Sequence, residues 1–325
     1  MKIWTRMTRS MAGAMMALAC ACTAPAWAAD PFPTKAVQVV IPFQPGDTDN
    51  LLRPFVDRMG EFLGQPVVLN YKPGAGGAVG AGQVASSRPD GYTLVGTSQG
   101  SIVVVPLANK DVKYSTDSFA PVAALAEGGM LLVVQSSSPW KSMKELIEHS
   151  RKNPGAINYT TSGAMGITHL LAEIFSKEAQ LRWTHIPTQG SGPAITQLLG
   201  GHVNMSSTAL APALAHIKSG TLRPLAVFGD TRLRSLPDVP TLRELGYNFA
   251  SPVYYGISAP KGTPREVVDA LYNAARKAVE KYGPQITESL NVFGAETKLL
   301  GPDEYAQYLK SQQQIFGAEI KTMVP

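Results

Sequence analysis

The chain has 325 residues, of which 44% are hydrophobic and 16% charged, with a formal net charge of +5 and two cysteines. That balance places it among folded globular proteins and fits two lobes of ordinary domain size. No clustered basic stripe stands out, so nucleic acid is not an expected partner, and no apolar run beyond the first residues is long enough to cross a bilayer.

Residues 1–28 read as a cleaved secretory signal peptide. Lys2, Arg6 and Arg9 form a positive n-region, Met11 to Ala21 a short apolar h-region, and Ala26-Trp27-Ala28 an A-x-A cleavage site. The mature chain is expected to start at Ala29 and to be exported. Cleavage removes three basic residues and no acidic ones, leaving 26 Lys plus Arg against 24 Asp plus Glu, a net charge of about +2. Both cysteines, Cys20 and Cys22, leave with the leader, which excludes disulfides, thiolate nucleophiles and cysteine metal sites from the mature protein. Ala17-Leu18-Ala19-Cys20 is a poor version of a lipoprotein box, and the better A-x-A site downstream argues against a lipid anchor at Cys20.

The mature chain alternates strand and helix, which indicates an α/β class with largely parallel sheets. Ala36 to Ile41 is a buried strand, and Thr48 or Asp49 caps a helix running to about Phe62. Pro66 to Asn70 is the second strand, Pro73 to Gly82 a Gly/Ala loop leading into a short helix, and Tyr92 to Gly96 the third strand. Met130 to Gln135 is an apolar run that crosses into a second lobe, where Ser142-Met143-Lys144-Glu145 is a capping box opening a helix to about Asn153. Further strands lie near Asn158, Trp183, Val203 and Leu225, with helices between them. Ser251 to Ile257 is the return strand, and Thr263-Pro264-Arg265-Glu266 is a second capping box with proline at the first helical position. Helices from Pro264 to Lys321 then cover the first lobe. The layout is lobe one (29–131), lobe two (132–251) and lobe one again (252–325), and two crossings make a hinge suited to a closing cleft.

Three segments share one form: Ala36 to Asp49, Asn158 to His169, and Arg182 to Ala194 each run from a strand through a small polar loop into a helix. A helix N-terminus offers unpaired N–H groups and partial positive charge, and ligands of open α/β sheets sit beyond the carboxyl ends of strands. The pattern points to a small-anion pocket.

Chemistry-bearing motifs are few. Gly96-Thr97-Ser98-Gln99-Gly100 matches the G-x-S-x-G nucleophile elbow, so a secreted serine hydrolase built on Ser98 is the competing function. The next segment, Ser101 to Pro106, has three successive valines and a proline, a poor start for the helix an elbow needs. No histidine among His149, His169, His185, His202 and His216 is singled out as a base. A polar loop in which Ser98 and Gln99 line a pocket is the better reading. Gly74 to Gly80 lacks the last glycine of G-x-G-x-x-G, since Val79 stands there, so no dinucleotide is expected. The glycine loop, Gly76 included, instead suits close approach of backbone to a ligand or to the facing lobe. No H-E-x-x-H or similar pair occurs, and neither a metal nor a cofactor is expected. His169 falls in the first turn of a helix, where it bonds locally or helps line the cleft, and His185 beside a strand is structural. Tyr254 and Tyr255 are adjacent on the return strand, so one faces the cleft and the other the core. The residues alone do not decide which, and Tyr254 is the one carried into the candidate set.

The loops resemble those of the tripartite tricarboxylate transporter receptors, the Bug-type periplasmic solute-binding proteins. The resemblance runs through Ile41-Pro42-Phe43-Gln44-Pro45-Gly46-Asp47-Thr48-Asp49-Asn50-Leu51-Leu52-Arg53, Asn70-Tyr71-Lys72-Pro73-Gly74-Ala75-Gly76-Gly77 and Pro89-Asp90-Gly91-Tyr92-Thr93-Leu94. It continues through Ser162-Gly163 to His169-Leu170-Leu171-Ala172-Glu173, Leu198-Leu199-Gly200-Gly201, Leu236-Pro237-Asp238-Val239-Pro240-Thr241, and Gly256 to Pro264. No single motif is very specific, but their order covers essentially the whole mature chain.

The resemblance implies a two-lobed periplasmic binding protein of type II-like form, two mixed sheets flanked by helices with a hinge and a ligand cleft. It implies a non-catalytic receptor that closes on a small organic carboxylate and serves a two-component membrane permease. By the same resemblance the carboxylate is held by backbone N–H groups and bound water in the loop Phe43 to Asp49, which includes Gln44, Asp47 and Thr48, with Asp49 and Arg53 matching the family's Asp and Arg. The serine loop carries over to Ser162, Gly163, Ala164, Met165 and Thr168, and the facing turn to Gln189, Gly190 and Ser191.

The chain departs from the pattern in three places. The triple-glycine run is shortened and holds Asp47; a glycine becomes Met165 and a hydroxyl donor becomes Gly166; and a tyrosine becomes Thr188. A negative side chain in an anion loop weakens carboxylate binding unless it points away or meets a cationic ligand group. The expected ligand has one firmly held carboxylate and a less polar remainder, such as an aromatic ring. A sensory protein on this fold would bind the same ligand, and the sequence does not separate the two roles.

Overall fold

Val37–Ile41 (β1) is buried at every position except Gln38, the near-continuous apolar run of a parallel strand covered on both faces. It leads to Thr48–Leu63 (α1), whose Leu51, Leu52, Phe55, Val56 and Met59 form one buried stripe at helical spacing. Gly64 ends α1 in the left-handed conformation, at a φ of 71°. The computed structural model describes residues 32–247 and 252–323. The expected leader, Cys20 and Ser251 lie outside the described residues.

The chain continues through Val67–Tyr71 (β2), Ala78–Ala85 (α2), Thr93–Ser98 (β3), Val105–Ala108 (α3) and Phe119–Gly128 (β4). Met130–Gln135 (β5), Met143–Lys152 (α4), Ile157–Thr161 (β6), Ile167–Glu178 (α5), Trp183–Pro187 (β7), Ser191–Leu199 (α6), Met205–Ala209 (β8), Ala211–Lys218 (α7) and Leu222–Val227 (β9) follow. Val253–Pro260 (β10), Arg265–Asn291 (α8), Glu296–Leu300 (β11) and Pro302–Met323 (α9) complete it. One sheet has the order β11-β4-β10-β3-β1-β2, the other β7-β6-β8-β5-β9. The fold is therefore the two-lobed α/β form with two mixed sheets.

The sheets are less parallel than the alternation of strand and helix predicts. β1 pairs parallel with β2 and β3, and β6 with β7 and β8. β10 runs antiparallel between β3 and β4, and β5 runs antiparallel between β8 and β9. The reason is the crossing itself: β5 and β10 are the strands that enter each sheet after the chain has changed lobes, so no crossover helix sets their direction.

Two local expectations are corrected. A helix does follow Gln99: Gly100–Val104 forms a π-turn that runs into α3. Ile102, Val103, Val104 and Val105 are fully buried, so packing outweighs their poor helix propensity, and Pro106, which has no N–H to bond back to the π-turn, is accommodated because the Ser101 and Ile102 carbonyls accept the Tyr114 and Thr116 hydroxyls at 2.6 and 3.1 Å. The Thr263 capping box does not form. Pro264 is itself the N-cap in an extended conformation, and the Thr263 hydroxyl donates to the Pro260 carbonyl at 2.8 Å, closing the turn after β10. The earlier cap holds in part: the Glu145 N–H donates to Ser142 Oγ at 3.3 Å, while Glu145 Oε2 accepts from Lys141 N–H rather than from the cap residue.

One apolar cluster runs through both lobes, from Val39, Leu52 and Phe55 to Leu132, Tyr159 and Phe175. Separate clusters cover the outer faces, around Val133 and Leu198 in one lobe and around Val95 and Tyr305 in the other. These cores hold the strand ends rigid where the polar loops begin. Among the described residues no helix is long and apolar enough to cross a membrane.

Candidate functional site

The loop after β1 turns through Gly46, whose φ of +135° is open to glycine and few other residues. It places Asp47 at the N-cap of α1, yet the Asp47 side chain makes no cap bond. Asp49, within the first turn, accepts the Gly46 N–H at 2.8 Å and the Tyr71 hydroxyl at 3.1 Å. Arg53 donates to Tyr71 Oη at 2.8 Å and lies 3.9 Å from Asp49. Both Asp49 oxygens are thus satisfied within the first lobe, and the loop keeps its shape through that chain of bonds.

Asp47 turns the other way. Tyr255 donates to its Oδ2 at 3.0 Å, and Oδ1 is buried without a hydrogen-bond partner. Burial pushes the Asp47 carboxyl up to about 7, against the Tyr255 hydrogen bond and with a smaller push from Asp49. At the end of β3, Ser98 Oγ accepts the Gly100 N–H at 3.3 Å. Gln99 is fully buried; its Nε2 donates to the Pro252 carbonyl at 3.2 Å and its Oε1 has no partner.

In the other lobe the serine loop is knitted by its own hydroxyls. Thr168 Oγ1, in the first turn of α5, accepts the Ser162 N–H at 3.0 Å and lies 2.8 Å from Ser162 Oγ. Ser207 donates to the Thr168 carbonyl at 2.7 Å. Met165 has a φ of +59°, rare for a side chain of its size, and its N–H donates to His169 Nδ1 at 3.1 Å. That bond leaves the His169 proton on Nε2, 3.7 Å from Glu173. His169 stacks on His185 at 3.8 Å, and His185 Nε2 is 2.7 Å from Thr161 Oγ1. Burial holds His169 below its usual range against the pull of Glu173, and burial with the neighbouring His169 lowers His185 to about 4. Both rings are therefore neutral props under the loop at pH 7. Replacing Thr168 with valine keeps the shape and removes the oxygen that satisfies the buried Ser162 N–H; a loss of about 1–3 kcal/mol is expected, read as a lower midpoint in urea unfolding.

The two lobes meet through backbone. The Gln44 N–H donates to the Gln189 carbonyl at 3.0 Å. A Cβ on Gly76 would fall 2.4 Å from the Ala164 carbonyl oxygen, one on Gly190 3.3 Å from Gln44 N, and one on Gly46 3.3 Å from Gly192 Cα. Phe43 packs against Gly77 and Ile167 against Gly100. Gln44 thus faces Gln189 and Gly190 across the cleft, Gly46 faces Gly192, and Gly76 faces Gly163 and Ala164, whereas the Asp47 and Asp49 side chains bond within the first lobe. Ser162, Thr168 and Ser191 are buried, whereas Met165 stays 41% exposed.

Tyr254 does not join this group. It stacks on Tyr308 at 4.3 Å, with the Lys298 ammonium 5.0 Å from its ring. Tyr255 is the member of the pair that reaches the candidate loop. Neighbours on a strand point to opposite faces, and α9 covers the face that Tyr254 takes. Tyr71 and Thr161 are partners that residue patterns do not single out, because only strand pairing brings their hydroxyls to Asp49 and His185; Thr161, for instance, lies two residues from Tyr159, which is opposite His185 in the β6–β7 register. Among the described residues no cluster of His, Cys, Asp or Glu could hold a metal ion. A cavity of about 430 Å³ lies elsewhere, lined by Lys218, Arg234 and Glu296 and by none of the candidate residues.

The sequence model of the tripartite tricarboxylate transporter family receptor matches residues 51–324. Protein BugT of Bordetella pertussis is 31% identical over 319 residues, covering 97% of either chain. The structure of the periplasmic binding protein BugD superposes with a TM-score of 0.84 at 30% identity, covering 90% of this chain and 98% of that one. MatC from Rhodopseudomonas palustris, solved with bound malate, gives a TM-score of 0.84 at 27% identity, covering 89% of this chain and 100% of that one.

Proposed function

The chain belongs to the tripartite tricarboxylate transporter receptor family, and on that premise we propose that it captures a small organic carboxylate between its lobes and delivers it to a two-component membrane permease. The observation that carries this reading is the approach of loops from the two lobes, Phe43–Asp49 against Gln189–Ser191 through the Gln44–Gln189 hydrogen bond and the Gly76 turn against Ser162–Thr168. Two of these loops open α1 and α6, whose N-termini offer N–H groups to an anion. A ligand that touches both lobes stabilises the closed form by its differential affinity for that form. Residues 29–131 and 252–325 make one lobe on this reading and 132–251 the other, and the leader directs the chain to the periplasm. The malate bound to MatC supports a carboxylate ligand.

The hydrolase alternative gains a helix after Ser98 but not a nucleophile: Ser98 Oγ is tied to the Gly100 N–H, and Ser98 is not among the residues with positive φ that a strained elbow suggests. A thermal-shift screen of protein unfolded, refolded and thereby stripped of ligand separates the two. A carboxylate at about 100 times its Kd is expected to add about 2.7 kcal/mol of apparent stability, with no ester turnover lost in the Ser98→Ala variant. Ester hydrolysis that disappears in Ser98→Ala, with no carboxylate shifting the melt, would replace the receptor by the hydrolase.

A further inference from the structure

An aspartate at a helix N-cap ordinarily accepts an N–H from the following turn. Asp47 holds that position at the start of α1 and makes no such bond. Asp49 takes over the work of shaping the loop, and Arg53, the nearby cation, is engaged with Asp49 and Tyr71. Asp47 is thereby released to point toward β10, where Tyr255 fixes its Oδ2 at 3.0 Å. That single bond orients the carboxyl group and leaves Oδ1 buried and unpartnered.

A second acceptor in the same state lies just past β3, the strand paired with β10. Gln99 follows Ser98, which lies opposite Tyr255 in the β3–β10 register. Its amide nitrogen is fixed by the Pro252 carbonyl, and its Oε1 is buried with no donor. Most buried polar atoms in folded proteins have a partner, and a buried carboxylate oxygen without one is among the more costly exceptions. Here two acceptors, each oriented by a bond through its other polar atom, follow the ends of β1 and β3, which pair in parallel, and Gly46, next to Asp47, abuts Gly192 of the opposite lobe. What both lack is a hydrogen-bond donor.

Resting on the receptor reading above, we infer that Asp47 is a specificity-determining residue that receives, through Oδ1, an ammonium or hydroxyl group carried by the carboxylate ligand. The ligand class is then a carboxylate with a second, donor-bearing substituent, held by backbone N–H groups at its anionic end and by Asp47 at the donor. An ammonium group compensates the buried charge as well as filling the hydrogen bond. A hydroxyl fills the hydrogen bond alone. A plain acid leaves Oδ1 as it is and adds a second negative group to the cleft.

The test is titration calorimetry on the refolded mature chain with matched acids: succinate, malate and aspartate, and 3-phenylpropanoate, 3-phenyllactate and phenylalanine. In the wild type the hydroxy or amino member is expected to bind at least about tenfold tighter than the plain acid of the same skeleton. Asp47→Gly, which removes the acceptor at a position where glycine is a tolerated cap, is expected to bring that ratio below about threefold. Asp47→Asn keeps a neutral acceptor of the same shape, so it is expected to retain a hydroxyl preference and lose an ammonium one; melting curves establish that both variants fold. A plain acid that binds the wild type as tightly as its substituted partners, or a preference that survives Asp47→Gly, overturns the inference while leaving the receptor reading intact. Absence of binding by carboxylates of every kind, plain acids included, removes the receptor reading and the inference with it.

Discussion

Replacing Gly76 with alanine is expected to weaken carboxylate binding by at least about a hundredfold, close to 3 kcal/mol, and to leave the lobes apart. Gly76 sits at a φ of +64° on the first lobe, and its added Cβ would lie 2.4 Å from the Ala164 carbonyl oxygen and 3.3 Å from Gly166 N. Both are backbone atoms of the facing serine loop, so no side-chain rotation relieves the overlap. The left-handed conformation adds about 1–2 kcal/mol against any residue with a Cβ. Both overlaps are with the facing loop rather than with the core of its own lobe, so the damage falls on closure. Gly82 supplies the control. It lies inside α2, and its added Cβ would meet only Tyr114 ring atoms at an ordinary 3.6 Å. Gly82→Ala is expected to bind as the wild type does and to be slightly more stable, since alanine is the better helix former. Calorimetric affinity and the radius of gyration with and without ligand read both effects. A Gly76→Ala variant that binds and compacts like the wild type would show that the lobes close along a different path.

Ionisation of Asp47 carries the second large effect. Its carboxyl is raised from 3.8 to about 7 in the folded, ligand-free protein, so the folded form holds this proton more tightly than the unfolded chain does. Stability attributable to the group is complete below about pH 4 and is lost as pH rises toward 7. The groups around it do not reverse that sign: Tyr255 donates one hydrogen bond, Asp49 adds negative charge, and Arg53 is engaged with Asp49. Asparagine does not ionise. Asp47→Asn is therefore expected to melt with the wild type at pH 4 and above it at pH 8. The gain has a ceiling of about 4 kcal/mol from a shift of about three pH units, reduced to the extent that the wild-type cleft opens and hydrates the carboxylate. Equal melting temperatures at pH 8 would mean that Asp47 is already hydrated or already paired.

Much of this arrangement is legible along the chain because local and tertiary preferences agree. Met130–Gln135 is a strand in the structure as in the sequence, since five successive apolar residues, followed by Gln135 and bounded by glycine and serine, have few alternatives. The three strand–loop–helix segments open α1, α5 and α6, because apolar runs, small polar residues and helix formers follow one another at each. The failures occur where a distant surface decides. Four β-branched residues after Gln99 become helical because the core buries them. Tyr254 and Tyr255 are equivalent until α9 and Asp47 take opposite faces of β10. The Met165–His169 bond depends on a positive φ that no spacing rule announces. The direction of β5 and β10 is set by the crossing between lobes rather than by anything in their own residues.

A crystal structure of the refolded chain with the carboxylate that raises its melting temperature most tests the account at its centre. The carboxylate is expected between the lobes, within hydrogen-bond distance of backbone N–H groups in Phe43–Asp49 and of donors in Ser162–Thr168 or Gln189–Ser191. A ligand seated outside those loops, for instance in the cavity beside Arg234 and Lys218, would contradict it.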